Sequence, residues 1–298
     1  MNVSDLIASG QWPEPMERGR VADTAFAAAY NRSSDLQRAW IKTGLAAVYA
    51  ALGGPLPASR ERRDSLGHDL SLTSLDAPLD FVLVLCGRDF LSPARLVAAV
   101  VPALCARARD VAAVRVGGAW PRPLLTALEL CGLETACRIG SRDLPEVLAA
   151  LPAKGRGAVM VLGDVSLPAR LPAALDVHVA RIAGRAGVFV QDDACFDADA
   201  LAFAHPDMDF FVHGGACPEL SAFAAGQGEL AQAADCGYDV VYAAPHLLPL
   251  ALSVAPLALG PGRETFWLWP QLAPHVLRRR RLGAAVAFAV ADAAAGND

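Results

Sequence analysis

The feature that most constrains this chain is a series of short, mostly apolar runs, several of them closed by glycine or aspartate. They are LDFVLVLC (79–86), VAAVRV (111–116), TACRIG (135–140), GAVMVLG (157–163), VHVARI (177–182), GVFVQ (187–191), MDFFVHG (208–214) and YDVVYA (238–243). A run of this length without alternation suits a strand buried on both faces. Helical spacing fills the intervals. Leu96, Val97, Val100, Val101 and Leu104 share one side of a helix predicted over 93–108, and Pro121 suits the first turn of another that ends near Gly132. Further helices are expected at 144–151, near 197–204 and across 219–234. Strands alternating with helices imply right-handed crossovers and parallel sheets. The expected fold class is α/β, with two Rossmann-like lobes of mostly parallel sheet behind an N-terminal helical segment. The boundaries read as 1–78 for the helical segment and linker, 79–176 for the first lobe and 177–298 for the second.

Ahead of the first run, Met16 to Tyr30 is alanine-rich and reads as helix, and Ser33-Ser34-Asp35 offers N-caps. Leu36, Trp40, Ile41, Leu45, Val48 and Leu52 then fall on one helical face, which Gly53-Gly54-Pro55 stops. Residues 55–78, with Arg60, Arg62 and Arg63, read as a solvated linker. Arg278 to Arg281 reads as the close of a helix from Pro270, where cations complement the helix dipole.

With 54% apolar and 19% charged residues in 298, the chain can bury a sizeable core and lacks the composition of a disordered chain. A net charge of −5 with only Lys42 and Lys154 as lysines leaves no basic footprint for nucleic acid. Val240 to Gly262 lacks any Asp, Glu, Lys or Arg, but Pro245, Pro249, Pro256 and Pro261 argue against a membrane-spanning helix. The seven cysteines form no CxxC pair, and together with the lack of a secretory signal they read as reduced core thiols of a cytoplasmic protein.

Ligands in open α/β sheets bind outside the carboxyl ends of strands. Gly117, Gly118, Gly163 and Asp164 stand there as cofactor-binding candidates, although neither GxGxxG nor GxxxxGK[ST] is present and turn geometry explains the glycines as well. Asp192 and Asp193, with Asp197 and Asp199, are candidate ligand contacts, and Asp197 equally fits a helix N-cap. His205, Asp207, Asp209 and His213 have side chains that zinc accepts, in a spacing that matches no standard site.

SPARLVAAVVPALCARARDVAAVRV followed by PRPLLTALELCGLETACRIG resembles histidinol dehydrogenase, within the wider aldehyde-dehydrogenase-like architecture. The resemblance continues through GRGAVMVLG, VHVARIAGRAGVFVQDDACFDADALAFAHPDMDFFVHG, YDVVYAAPHLLPL and LALGPGRETFWLWPQLAPHVLRRRRLG, covering residues 80–283 discontinuously. It implies oxidation of an amino alcohol to the acid in two NAD-dependent steps, with a zinc ion polarising the substrate and a Glu-His pair handling protons. His205 falls at the family's zinc-binding histidine, but Ala202 stands where a glutamine ligand is expected. The aspartate ligand belongs to a segment missing between Leu250 and Pro261, and the last histidine to an extension past Asp298. Pro245-His246 replaces the Glu-His pair, so His246 is the single catalytic candidate.

The expectation is a shortened relative that has lost zinc chemistry yet keeps an interlobe cleft for a nucleotide or small metabolite, with NAD the cofactor to test. Two alternatives are an NAD(P)-dependent oxidoreductase with a site rebuilt on His246 or Asp192/Asp193, and a non-catalytic homodimer joined through Trp267, Trp269 and the apolar AAVAFAVADAAA.

Overall fold

The computed structural model describes residues 11–190, 195–214 and 218–287. Three helices open it: α1 (Glu14–Arg18), α2 (Asp23–Arg32) and α3 (Asp35–Ala51). The stretch expected as one helix from Met16 is broken at Gly19, because Arg20 bridges to Cys137 in the first lobe. Ser34 caps α3 in a reciprocal capping box with Gln37. A hairpin follows, β1 (Ser59–Ser65) and β2 (Leu70–Pro78), where a linker was expected.

The first lobe runs β3 (Phe81–Cys86), α4 (Pro93–Cys105), β4 (Asp110–Val116), α5 (Arg122–Leu130), β5 (Ala136–Ile139), α6 (Leu144–Ala150), β6 (Gly157–Leu162) and β7 (Leu175–Ala180). Its parallel sheet has the order β5-β4-β3-β6-β7. All residues of β3 and β6 are buried, as their unbroken apolar sequence requires. The run at 177–182 therefore closes the first sheet, although the boundary read from the sequence assigns it to the second lobe.

The second lobe runs β8 (Arg185–Val190), α7 (Ala198–Ala204), β9 (Asp209–Gly214), β10 (Ala224–Ala225), β11 (Val240–Tyr242), α8 (Leu248–Ala251) and β12 (Ala258–Leu259). Its parallel sheet has the order β10-β9-β8-β11-β12. The helix expected across 219–234 is absent; two 3-10 turns, Pro218–Leu220 and Leu230–Cys236, flank β10 instead. The uncharged stretch from Val240 folds into β11, a 3-10 turn, α8 and β12, and no helix among the described residues is long and apolar enough to cross a membrane.

The arginine run corrects a second expectation. It forms β13 (Arg278–Ala285), which pairs antiparallel with β2 to complete a three-stranded sheet β1-β2-β13. Arg278 anchors that sheet to the body. Its guanidinium binds Asp76 at 2.9 Å and the carbonyls of Leu56, Pro57 and Ala106 at 2.8–3.1 Å.

One core serves both lobes. Val82, Leu96 and Val100 of the first pack in the same cluster as Val188, Phe210 and Tyr242 of the second, joined by Trp267 and Trp269. Helix α4 is the shared centre, apolar on nearly every side and buried throughout except at Leu104. Removing the Arg278 guanidinium leaves Asp76 and several carbonyls without their donor. Arg278→Ala is expected to lower unfolding stability by about 3 kcal/mol. Arg279→Ala, which loses a half-exposed pair with Asp80, costs under about 1 kcal/mol. Urea titration of the two variants checks the contrast.

Candidate functional site

In the first sheet, β3 leads outward through β4 to β5 on one side, while β6 and β7 lie on the other. The switch point is therefore between β3 and β6, where a crevice opens at the carboxyl ends of the strands. The structure has a cleft of about 760 Å³ at this place. Asp89 and Phe90 beyond β3, Gly163 and Asp164 beyond β6, and Ala180 and Arg181 at the end of β7 line one wall. Gly184 and Asp207 line the other, from the second lobe.

The two turns at the switch point touch. Asp89 Oδ1 accepts the Asp164 N–H at 2.8 Å. A Cβ on Gly87 would sit 2.6 Å from Asp89 Oδ1 and 2.8 Å from Asp164 N. Gly163 has φ +75°, and a Cβ there would lie 2.7 Å from the same carboxylate oxygen. Glycine is required at both positions by this approach. Arg115, an arginine inside the buried strand β4, donates to the carbonyls of Phe90 (2.6 Å) and Arg88 (2.8 Å) and fixes the loop that carries Asp89.

Behind the cleft lies the seam between the lobes. Ser92 caps α4 by accepting the Arg95 N–H at 3.1 Å, and its hydroxyl donates to Ala204 O at 2.5 Å, across the seam. Arg95, 3% exposed, forms an ion pair with Asp207. Asp207 also accepts the Leu91 N–H at 3.0 Å. The Arg95 guanidinium lies over Phe90 and Trp267, and Trp269 Nε1 donates to Arg95 O at 3.0 Å.

His205 sits in this seam with no exposed surface, its Nδ1 3.1 Å from Ser92 Oγ and its ring 5.2 Å from that of Trp267. Its Nε2 has no hydrogen-bond partner of sound geometry among the described residues. Burial, then the Arg95 guanidinium, hold its pKa well below the usual histidine value, while the Glu264 backbone opposes them. These surroundings do not fit zinc. The Arg95 cation acts on its ring, Asp207 is already taken by Arg95, and no group of three His, Cys, Asp or Glu among the described residues is placed to hold a metal.

The remaining sequence candidates scatter. Gly163 and Asp164 line the interlobe cleft, whereas Gly117 and Gly118 line a separate one of about 750 Å³ with Trp120, Arg138 and α1. His213 belongs to the second-lobe interior. It stacks on Phe189 at 4.2 Å, and its Nε2 lies 2.8 Å from Tyr238 Oη, whose pKa burial pushes up to about 12. His246 is exposed on the 3-10 turn Pro245–Leu247, outside the interlobe cleft lining. Asp192 and Asp193 lie outside the described residues. Asp197 is the N-cap of α7, accepting the Ala200 N–H at 2.9 Å.

Sequence reasoning missed a second cleft of about 680 Å³, lined by Cys195, Asp197, Asp199 and Glu264. Cys195 is exposed there, unlike the core thiol expected. Cys86 and Cys137 are core thiols, pushed up to about 12 by burial. Trp267 and Trp269 are 2% and 5% exposed and pack the core of the chain, and residues 288–295 of the apolar tail lie outside the described residues.

No protein-family model matches the chain, and no curated protein matches it. Among solved structures the fold is similar to that of a histidinol dehydrogenase. Histidinol dehydrogenase from Elizabethkingia anophelis superposes with a TM-score of 0.56 at 10% identity, over 90% of this chain and 77% of that one. An NAD-dependent benzaldehyde dehydrogenase from Corynebacterium glutamicum gives 0.44 at 10% identity, over 89% and 88%. At such identities the likeness is one of fold.

Two outcomes follow from the seam. Asp207→Asn strands a buried guanidinium and is expected to cost about 3–5 kcal/mol in a urea titration. His205 is held neutral when folded and binds a proton when unfolded below about pH 6.5. Stability is therefore full above that pH and falls as pH drops toward the depressed folded value, by up to about 1.4 kcal/mol per unit. His178, also depressed by burial, adds to the slope. His205→Gln should flatten a pH series of unfolding free energies by one proton's worth.

Proposed function

We propose that the chain binds a nucleotide or small metabolite in the interlobe cleft, without zinc-dependent dehydrogenase chemistry. The observation that carries this reading is the coincidence of the β3/β6 switch point with a cleft walled by both lobes. Asp89 and Asp164 supply carboxylates, and Phe90, Val161, Val165 and Ile182 supply apolar surface. Carboxylates accept hydrogen bonds from hydroxyl or ammonium groups. The ligand class is thus one that offers a ribose-like diol or an amine beside a flat apolar portion. NAD meets that description through its adenosine half.

The seam supports the absence of zinc chemistry, since His205 is enclosed by Ser92, Arg95 and Trp267 rather than by metal ligands. What the residues at the cleft can do is bind and orient. Arg115 and the Asp89–Asp164 contact hold the cleft mouth in one shape before a ligand arrives.

Thermal-shift titration with NAD⁺, adenosine and amino alcohols tests the reading. A ligand at 100 times its Kd stabilises the native state by about 2.7 kcal/mol. Ala183→Trp, at an exposed position on the cleft lining, should weaken that binding at least tenfold while leaving the unliganded melting temperature within a few degrees. No shift with any member of the panel would sink the proposal.

A further inference from the structure

The cleft that holds Gly117 and Gly118 is opposite in charge to the chain as a whole. The molecule has a net charge of −5, yet Arg18, Arg20 and Arg138 all line this cleft of about 750 Å³. Backbone pairing brings them together. The segment that follows α1 runs beside β5, where the Arg138 N–H donates to Gly19 O and the Val21 N–H to Ala136 O, each at 2.8 Å. That pairing carries Arg18 and Arg20 to the cleft that Arg138 borders.

The counter-charges are few and weakly held. Asp143 is the one acid of the described lining, and its Oδ2 already accepts the Gly140 N–H at 3.1 Å. Arg18 pairs with Glu14 at 3.2 Å and Arg20 approaches Glu17 at 4.0 Å, all four side chains exposed, so solvent screens both pairs. Arg138 is exposed and has no carboxylate partner among the described residues. The floor adds a cation that solvent does not screen. Arg115 is 2% exposed, and both of its terminal nitrogens donate to carbonyls. Its Nε has no partner among the described residues and lies 3.9 Å from the point where a Cβ on Gly118 would stand. The nearest atom to that point is Arg88 Cγ, at 3.5 Å, so the space over Gly118 is open and bordered by two further arginines. A buried N–H without an acceptor is costly, and a negative charge held over Gly118 offsets that cost.

We infer that this cleft binds the terminal phosphate of a small phosphomonoester, with the dianion over Gly118 and the guanidinium groups of Arg18, Arg20 and Arg138 around it. A guanidinium fork matches two phosphate oxygens at once, which a lysine cannot do. A phosphomonoester carries about −1.5 to −2 charges at neutral pH. The phosphodiesters of NAD⁺ carry a single charge each and offer no terminal group, so this chemistry differs from that proposed for the interlobe cleft. Trp120, whose Nε1 donates to Cys137 O at 3.0 Å, and Leu125 give the remainder of the molecule an apolar wall. The two clefts share no lining residue, and the phosphate site stands whether or not the interlobe cleft is occupied.

Isothermal titration calorimetry of the full chain with phenyl phosphate, at fixed low ionic strength, tests this. Phenyl phosphate is expected to bind saturably at one site, and phenyl sulfate, of the same shape with a single charge, about tenfold or more weakly. Arg138→Gln should weaken phenyl phosphate about tenfold and Arg138→Glu further, while Arg138→Lys, which keeps the charge, recovers part of the loss. Gly118→Asp sets a carboxylate of the chain's own over Arg115 and should abolish binding. Arg138 is exposed, so circular dichroism of its variants should match wild type. Ala183→Trp, in the other cleft, should leave phenyl phosphate binding unchanged, which separates failure here from failure of the interlobe reading. Absence of saturable binding, equal affinity for the sulfate, or an affinity that Arg138→Glu leaves intact would each overturn the inference. So would loss of binding in Ala183→Trp, which assigns the anion to the interlobe cleft.

Discussion

A buried ion pair holds the two lobes in one geometry. Arg95 rises from the first turn of α4, and Asp207 sits just ahead of β9 in the other lobe. Burying a guanidinium is costly, and the Asp207 carboxylate offsets that cost although Arg95 Nε has no hydrogen-bond partner among the described residues. Here Phe90 and Trp267 cover its faces, and Asp207 gives its other oxygen to the Leu91 amide. Ser92 and His205 extend the seam by a hydroxyl and an imidazole. The position of each wall of the cleft is therefore set by the same few side chains.

That arrangement explains why the cleft lies where it does. Strand order alone places a crevice at the β3/β6 boundary, but a crevice becomes a pocket only if something closes its outer side. The second lobe does so through Gly184 and Asp207, and Asp207 is positioned by its pairing with Arg95. The glycines at 87 and 163 let the first-lobe turns approach closely enough for Asp89 to tie them together.

Much of the two sheets was legible in the sequence because β3, β6 and β8 carry their burial in continuous apolar runs. The place of Gly163 and Asp164 at a strand end was legible for the same reason, since it needs only the strand's limits. The third sheet, β1-β2-β13, was not. Arg278 and Asp76 are 202 residues apart, and a strand made of arginines shows no apolar period until its partner is known. Arg95 read as an ordinary helix residue because its partner is 112 positions away. One signal was there to be used: Arg115 interrupts an otherwise apolar buried run, and a lone cation in such a place has to be doing something with its donors. His205 and His213 drew attention as metal-binding side chains, yet each has its ring packed against an aromatic neighbour, a tertiary fact no spacing reveals.

The shared core has a consequence for motion. With Leu96 and Val100 packed in the same cluster as Val188 and Tyr242, the lobes lack the sparse interface that hinge-bending proteins use to swing shut. A small molecule bound in the cleft as proposed would meet a vessel of fixed shape, and its residence time would be governed by contacts broken on leaving rather than by a gate. For the same reason neither half could be expressed alone without exposing the apolar surface that the other half now hides.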